Sequence, residues 1–502
     1  MQTSNNDKYL RLWWEVSNSD RFLEGTPKWI IYLKGGDFRK WYGNLSNLLY
    51  YNFDPSFILQ QPHARVLSLD YLEKTKCTWA DITTATNSFR LAPKESFYDI
   101  SGHCFFPSDS NQYELLAYAN SSVFATFIKL LNPTVHCQVG DVAKVPYRRV
   151  DCQDSVNAIS RMSVEICRQD WDSFETSWDF TWHPLVPSHS VWIDQHCYNM
   201  HATERRAGVE RIEVCFHRWE SECKRRFDQL KVNEEELNHI FARIYGMEGE
   251  VPIEVPDDKV SVRLADLGRD IRSLVSYGVG CMFGRYSLDE PGLILADEGS
   301  TLDDYHAKVP NPTFEPDRTG IIPITEFDYP FFGDDVVAQF RRWLAAAYGE
   351  DTLGENIAYI ENALGKSLRA YFARDFYNDH VKIYQKRPIY WLFSSPKRGL
   401  QALVYLHRYT PQTVSQLLAD YVRPLRDNLG AQARLLEVSG KAKDASLAAK
   451  YDATVAELEA WEHDVIFPLA QRHVELDLDD GVKVNYGKPE FKGALRKVVG
   501  LN

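Results

Sequence analysis

The stretch from Lys34 to Asn44 reads Lys-Gly-Gly-Asp-Phe-Arg-Lys-Trp-Tyr-Gly-Asn. It combines three cations, three glycines and the adjacent aromatic pair Trp41 and Tyr42. Glycine lets a backbone approach a partner closely, cations bind phosphates or guanine edges, and flat rings stack on bases. The combination therefore favours contact with nucleic acid. The alternative is a glycine turn leading into a strand whose aromatic rings lie in the core, with the cations on solvated surface.

The sequence around this stretch predicts an irregular β-rich domain over residues 1–150. Short runs of β-branched and aromatic residues, such as Trp29-Ile30-Ile31-Tyr32, alternate with Gly, Pro, Asn and Ser up to about Tyr147. One helix is expected within this domain, from Glu114 to Leu131, because apolar residues recur at helical spacing and Asn132-Pro133 then ends the pattern.

The remainder is predicted to be mainly helical, so the fold class is α+β. Residues 151–255 are expected to form a helical linker or arm, 256–410 a helical domain with a β-hairpin, and 411–502 a C-terminal helical hairpin and tail. The β-hairpin is expected from two apolar β-type runs that flank the turn at Ser394 to Gly399. Asp297 to Asp328 is rich in Pro, Asp and Gly, which predicts a long surface loop.

The composition is that of a globular protein with free thiols. Nine cysteines without paired spacing indicate reduced side chains in the cytosol rather than a disulfide framework. No run approaches the roughly 18 to 20 apolar residues of a membrane span, and Met1 to Asp20 lacks the pattern of a signal peptide. We therefore expect a cytoplasmic protein with no membrane partner. The formal charge of −13 argues against indiscriminate DNA binding but is compatible with a sequence reader that has a local basic face.

The stretch from Lys34 to Asn44 resembles the segment Gly-Gly-x-Phe-Arg-Lys-Trp-Tyr-Gly-Asn of the PglX adenine-specific DNA methyltransferases of type 1 BREX phage-defence systems. Further similar segments follow in the same order over nearly the whole chain, which makes the resemblance far more specific than any one of them. These segments are Ser88–Arg90, Phe97–Asp99 with Gly102, Leu130–Thr134, Gln138–Val142, Asp170–Phe180, Arg269–Leu274, Gly280–Gly292, Lys386–Ser395 and Asp479–Tyr486.

The resemblance implies that residues 1–150 form a target-recognition domain, whose loops on a small β scaffold enter the DNA grooves. It also implies that a separate catalytic domain flips out the target adenine. By residue-by-residue comparison, nine positions are assigned to contact with double-stranded DNA. They are Lys34, Arg39, Lys40, Trp41, Tyr42, Asn44, Ser88, Arg90 and Lys94. The sequence does not separate the cations that contact bases from those that contact phosphates.

Two motifs that the resembled family needs for catalysis are absent from the sequence. One is a glycine-rich turn from strand to helix for S-adenosylmethionine, and the other is an Asn-Pro-Pro-Tyr type segment that holds the flipped adenine. Asn132-Pro133-Thr134 and Asn311-Pro312-Thr313-Phe314 both lack the second proline. The resemblance thus covers only the C-terminal portion of the proteins of this family. We expect no cofactor and no catalytic residue in this chain, and a methyltransferase catalytic domain or chain as its partner, with S-adenosylmethionine bound there.

The full enzyme implied by the resemblance methylates adenine in a short asymmetric site. The methylation marks host DNA and, with the other BREX proteins, enables the exclusion of unmarked phage. This chain's part would be sequence selection, alongside other BREX proteins. The alternative function is a protein-binding scaffold that docks BREX partners or phage inhibitors through its long helical half. A nuclease is disfavoured, since no cluster of acids suited to a metal is evident.

Three other groups of residues invite a functional interpretation. Asp170, Asp172 and Glu175 flank aromatic residues, which is more typical of caps and salt bridges than of catalysis. A group of histidines and cysteines lacks the spacing of a CxxC knuckle or an HExxH helix, which favours helix packing over zinc binding. Its members are His196, Cys197, His201, Cys215, His217 and Cys223. The hairpin ends are basic and form either a second phosphate-facing patch or a merely exposed turn. Their cations are Lys386, Arg387, Lys397, Arg398, His407 and Arg408.

Overall fold

A computed structural model of the chain describes residues 5–20, 28–52, 69–82, 88–187, 210–327, 329–438 and 441–501. Packing divides the chain into two compact units. Unit 1 comprises Met1–Trp13, Ser19–Phe180 and His217–Asp266, and unit 2 comprises Trp14–Asn18, Thr181–Phe216 and Leu267–Asn502. Unit 1 joins the β-rich first segment to most of the helical segment that follows it. Small sheets and many helices confirm the α+β class.

Unit 1 contains two small sheets. The first has the strand order β1-β3-β2-β6 and the second the order β5-β4-β7. The strands are β1 (Leu10–Leu12), β2 (Trp29–Leu33), β3 (Asn47–Tyr50), β4 (Lys76–Ala80), β5 (Arg90–Ala92), β6 (Ser96–Tyr98) and β7 (Gly102–Phe105). Strands β2 and β6 are parallel, and the other pairs are antiparallel. All five residues of β2 are buried, as a continuous apolar run predicts for a strand covered on both faces.

The helices of unit 1 include the one expected from Glu114 to Leu131, but it is divided in two. Ser121 ends the first part and begins the second, because its hydroxyl accepts a hydrogen bond from the amide of Phe124 at 3.3 Å. The helices are α1 (Asn6–Tyr9), α2 (Gln112–Asn120), α3 (Ser122–Leu131), α4 (Val139–Val142), α5 (Gln153–Asp172) and α6 (Ile212–Tyr245). The first five residues of α6 fall in unit 2 and the rest in unit 1. The chain leaves α3 at Asn132, before Pro133, as the sequence predicts.

Unit 2 contains one antiparallel sheet of order β8-β10-β9. Its strands are β8 (Ile321–Ile324), β9 (Tyr390–Ser394) and β10 (Gln401–Tyr405). The predicted β-hairpin is confirmed as β9 and β10. The prediction of a surface loop over Asp297 to Asp328 is wrong in part, because β8 is fully buried there. Proline within this strand suggested a loop, but Pro323 lies in an edge strand, where a missing amide donor is tolerated.

Unit 2 also contains helices. They are α7 (Leu267–Met282), α8 (Leu302–Lys308), α9 (Val336–Tyr348), α10 (Leu353–Leu364), α11 (Leu368–Arg374), α12 (Phe376–Ile383), α13 (Thr413–Leu417), α14 (Arg423–Val438), α15 (Ala442–Trp461), α16 (Phe467–Arg472) and α17 (Gly481–Tyr486). The glycines of α7 allow close packing against aromatic side chains. A methyl group added at Gly278 would lie 2.7 Å from the ring of Phe340, and one added at Gly280 would lie 2.5 Å from the ring of Tyr286.

The predicted C-terminal helical hairpin is confirmed as α14 and α15. A π-helical turn adjoins each of them, Leu418–Val422 before α14 and Glu462–Ile466 after α15. A proline lies two residues after each turn, Pro424 in one case and Pro468 in the other. Proline has no amide to donate, and the wider turn accommodates it without ending the helix.

Candidate nucleic-acid interface

The backbone from Lys34 to Asn44 forms a tight loop after β2. Gly36 has a φ of +108°, and a Cβ atom at this position would lie 2.8 Å from the side-chain nitrogen of Asn44. Gly43 has a φ of +117°, and a Cβ atom there would lie 2.9 Å from the ring of Trp171. Glycine at both positions therefore serves packing within the protein, since any side chain would clash with a neighbour.

Arg39 is held by a buried ion pair. Its Nη2 lies 2.5 Å from Oδ2 of Asp170 in α5, and its guanidinium lies over the ring of Trp171 at 5.0 Å. Asp170 also accepts a hydrogen bond from the amide of Arg263 at 3.0 Å. Burial alone raises the pKa of Asp170, but Arg263 and Arg39 outweigh it and hold that pKa below its ordinary value. Asp170 is thus ionised and forms structural ion pairs, which agrees with the salt-bridge role predicted from the sequence.

Lys40 and Trp41 share a second buried acid, Glu234 of α6. Lys40 Nζ lies 2.7 Å from Oε2 of Glu234, and Trp41 Nε1 donates to Oε1 of the same carboxylate at 2.8 Å. Both oxygens of the acid are therefore occupied by the loop. A buried carboxylate with a cation and an indole donor is well satisfied, whereas each group alone would be costly to bury.

Arg90 completes the cluster from β5. Only 1% of its surface is exposed. It donates to the carbonyl oxygen of Arg39 at 3.1 Å and to that of Gly35 at 3.3 Å. Burial, with Arg39 nearby, lowers the pKa of Arg90 to about 10. Its buried guanidinium thus stabilises the backbone of the loop through these two hydrogen bonds.

The assignment to DNA contact has to be corrected for six of the nine predicted residues. They are buried in unit 1, so they have no surface to offer a duplex while their packing persists. These six are Arg39, Lys40, Trp41, Tyr42, Ser88 and Arg90. Lys34 and Asn44 are half-buried, and Lys94 is exposed beside Asp109 at 3.0 Å. The many cations suggested that this stretch is exposed. Arg39 and Lys40 are buried instead, because they form ion pairs with carboxylates of α5 and α6.

Several loops of unit 1 lie together at one end of the two sheets, and the sequence did not predict this arrangement. Because β2 and β6 are parallel, their C-terminal ends lie at the same edge, and the amide of Asp99 donates to the carbonyl of Leu33 at 2.9 Å. Strand β4 ends beside them, since the amide of Asp81 donates to the carbonyl of Ser101 at 3.2 Å. The segment after α3 joins this end through the amide of Cys137, which donates to the carbonyl of Asp81 at 2.8 Å. These loops lie together because the strands pair, and no local sequence motif predicts that pairing.

Asp81 also links these loops through its side chain. Its Oδ1 lies 3.3 Å from Nε2 of His103, and its Oδ2 lies 3.0 Å from Nδ1 of His136. The two histidines come from β7 and from the segment after α3. One carboxylate therefore ties three segments together, which fixes the relative positions of their exposed neighbours.

A basic surface stretch adjoins this end of the sheets. Residues 129–149 carry four Lys or Arg side chains against a single acid, Asp141, in a chain whose formal charge is −13. Asp141 lies close to Asn132, whose side-chain nitrogen donates to its Oδ2 at 2.7 Å. Lys129 and Lys144 are exposed, one shortly before and one shortly after this bridge. This excess of basic residues lies outside the motif from which a basic face was expected.

The structure describes three of the six members of the histidine and cysteine group. Cys215 and Cys223 are buried in α6, and His217 faces Glu220 at 3.3 Å, while His196, Cys197 and His201 lie outside the described residues. Within the described ranges, no three His, Cys, Asp or Glu side chains are grouped so as to hold a metal ion.

The basic ends of the hairpin in unit 2 are only partly exposed. Arg408 is buried and donates to the carbonyl of Asp317 at 2.7 Å, and His407 is also buried. Lys386 and Lys397 remain exposed. Arg387 and Arg398 are half-buried, so two of the six basic side chains lack access to solvent and the other four retain it.

Comparison with known proteins gives the family. A scan against models of protein families found no match. The chain is similar to the adenine-specific methyltransferase PglX of Lacticaseibacillus casei (strain Zhang), with 34% identity over 530 residues, covering 98% of the chain and 42% of that relative. It is also similar to the adenine-specific methyltransferase BrxX of Escherichia coli O9:H4 (strain HS), with 32% identity over 534 residues, covering 96% of the chain and 41% of that relative.

The chain is thus related to adenine-specific methyltransferases along almost its entire length. It belongs to the PglX and BrxX family. It spans about two fifths of the length of these curated relatives, as the coverage of 42% and 41% shows.

The family implies S-adenosylmethionine as the methyl donor of the full enzyme, and the described residues do not fit that cofactor. Binding in such enzymes needs a parallel strand that leads through a glycine-rich turn into a helix. Strands β2 and β6 are the parallel pair in the described residues, and each continues into a loop and a further strand. None of the described helices has the length and hydropathy needed to cross a membrane.

Proposed function

We propose that this chain is the DNA sequence-recognition part of a BREX adenine-specific methyltransferase. Its role is to position a short asymmetric site, while another domain or chain binds S-adenosylmethionine and transfers the methyl group to adenine. The observation that carries the proposal is the similarity of nearly the whole chain to a part of two adenine-specific methyltransferases, in a sequence without the Asn-Pro-Pro-Tyr segment. Its cytoplasmic location and its association with other BREX proteins are parts of the same proposal.

Unit 1 is the recognition unit in this proposal. Its two small sheets gather loops at one end, and the basic stretch 129–149 lies next to them. Phosphate contacts position such a unit on the duplex, and contacts to base edges select the sequence. The loop from Lys34 to Asn44 acts as a clamp that fixes the sheets on α5 and α6, and within it Lys34 and Asn44 keep access to solvent.

The test combines this chain with a chain that bears the missing catalytic motifs and maps the methylated adenines. Exchanging this chain for a relative from a system that methylates a different site is expected to change the mapped site. If the mapped site stays the same after the exchange, the proposal fails.

A second function, docking of a protein partner, is favoured by the tip of the hairpin α14–α15. Three aliphatic side chains there are exposed, Leu435 by 66%, Val438 by 87% and Leu447 by 36%. Stable capture of a BREX protein by the chain in the absence of DNA, lost in a Leu435→Ser, Val438→Ser variant, would support this function. Salt-sensitive duplex binding that this variant retains would support the recognition function instead.

A further inference from the structure

We infer that Ile82, Ile100 and Val135 form an aliphatic surface that contacts thymine methyl groups in a groove of double-stranded DNA. The inference rests on the proposed function and names the side chains that carry out the selection. None of the three belongs to the residues suggested by the resemblance.

The three side chains come from three different loops and lie at the same end of unit 1. Ile82 follows β4 and pairs through a single antiparallel bridge with His136, the neighbour of Val135. Ile100 precedes Ser101, whose carbonyl accepts a hydrogen bond from the amide of Asp81 at 3.2 Å. These backbone bonds fix the spacing of the loops, so that the aliphatic side chains are presented from an ordered platform.

All three side chains are exposed to solvent although they are aliphatic. Ile82 is 61% exposed, Ile100 is 59% and Val135 is 49%. Folding gains little from an aliphatic side chain in water, and exposed apolar groups that cluster mark interaction sites. The cluster therefore points to a partner that offers an apolar surface.

The charges around the cluster favour DNA as that partner. Asp81 is hydrogen-bonded to two histidines, and Asp99 accepts hydrogen bonds from the amide of Ile100 and the hydroxyl of Ser101. Lys129 and Lys144 precede and follow Val135 in the sequence and are exposed, and neither forms an ion pair among the described residues. Exposed cations on the same segment suit phosphates, and exposed aliphatic groups suit the thymine methyl group of the major groove.

The experiment measures binding of the 502-residue chain to a duplex pool with a randomised centre, from which preferred sequences are selected. Uracil then replaces thymine at each selected position, which removes only the methyl group. The wild-type chain is expected to bind at least one uracil duplex about fivefold more weakly, since such an apolar contact contributes roughly 1 kcal/mol. Ile82→Ser and Ile100→Ser variants are expected to lose this discrimination. Val232→Ser is the matched control, because Val232 is 57% exposed on α6 and away from the loops.

The outcomes separate the inference from the function on which it rests. If the wild type selects a sequence but the isoleucine variants keep the thymine preference, the inference is overturned and the recognition function stands. If the wild type binds no duplex, both fall. If light scattering shows a dimer that Ile100→Ser converts to a monomer, the cluster is a contact between two copies of the chain, which also overturns the inference.

Discussion

Lys40 Nζ lies 2.7 Å from Oε2 of Glu234, and their side chains are only 8% and 3% exposed. The pair joins the loop after β2 to the long helix α6. Its burial explains why a stretch rich in cations is part of the core of unit 1. Each charge is stabilised by the other, so neither can be removed without leaving its partner unpaired in a place without water.

Glu234→Gln is expected to destabilise unit 1 strongly. The substitution keeps the shape but leaves Lys40 buried without a counter-charge, which costs about 3–5 kcal/mol in the free energy of unfolding. Urea unfolding followed by tryptophan fluorescence measures the change. Asp228→Asn is the control, because the pair between Lys224 and Asp228 is 62% and 53% exposed and contributes about 0.3–0.5 kcal/mol. Equal losses in the two variants would contradict the prediction.

Arg39→Ala and Lys34→Ala are expected to differ in kind. Arg39 is buried against Asp170, so its removal lowers the melting temperature of the chain. Lys34 is half-buried at the loop end, so its removal leaves the melting temperature unchanged. Lys34→Ala is expected to weaken duplex binding and to reduce the slope of log K against log salt concentration by about the amount of one phosphate contact. Melting curves and binding titrations at several salt concentrations measure both effects. Loss of salt dependence in Arg39→Ala without any loss of stability would place Arg39 at the DNA instead.

Asp172→Asn is expected to raise stability at neutral pH and much less at pH 4. Burial raises the pKa of Asp172 to about 6 from its ordinary 3.8, although the hydroxyl of Ser177 donates to it at 2.6 Å. The folded state therefore prefers the protonated acid, and stability is lost as pH rises from 3.8 through 6. Asparagine accepts the same hydrogen bond without the charge. Melting temperatures at a series of pH values measure the difference, with the exposed Asp151→Asn as control. If the difference in melting temperature between Asp172→Asn and the wild type did not change with pH, the raised pKa of Asp172 would be refuted.

Gly280→Ala is expected to destabilise unit 2, whereas Gly354→Ala is not. A methyl group at Gly280 in α7 would lie 2.5 Å from Tyr286 and 3.2 Å from the hydroxyl of Tyr390, so the helix or the rings have to move. At Gly354 in α10, nothing lies within 4 Å of an added Cβ atom, and alanine favours a helix by about 1 kcal/mol. Thermal unfolding of the two variants measures the contrast. A neutral Gly280→Ala would show that the packing around α7 is loose.

Several parts of the fold were predictable because their signals are local. The hairpin β9–β10 and the helical hairpin α14–α15 each show apolar spacing and a turn within one continuous segment. β8 was missed because three isoleucines around Pro323 resemble a loop until their partner strand is known. The division of the expected helix at Ser121 was missed because the apolar spacing continues through a residue whose side chain caps the second part.

The sequence by itself determined the family and the class of fold, since collinear similarity and local periodicity do not depend on how distant segments meet. Only the tertiary structure decided which cations face water. Arg39 and Lys40 find their carboxylates 131 and 194 residues further along the chain. Whether a charge is solvated or paired depends on what the fold brings beside it, and that proximity across sequence has no local signature. For the same reason the exposed aliphatic side chains at the loop end could not be grouped from the sequence, because they follow β4, β6 and α3, which only the fold brings together.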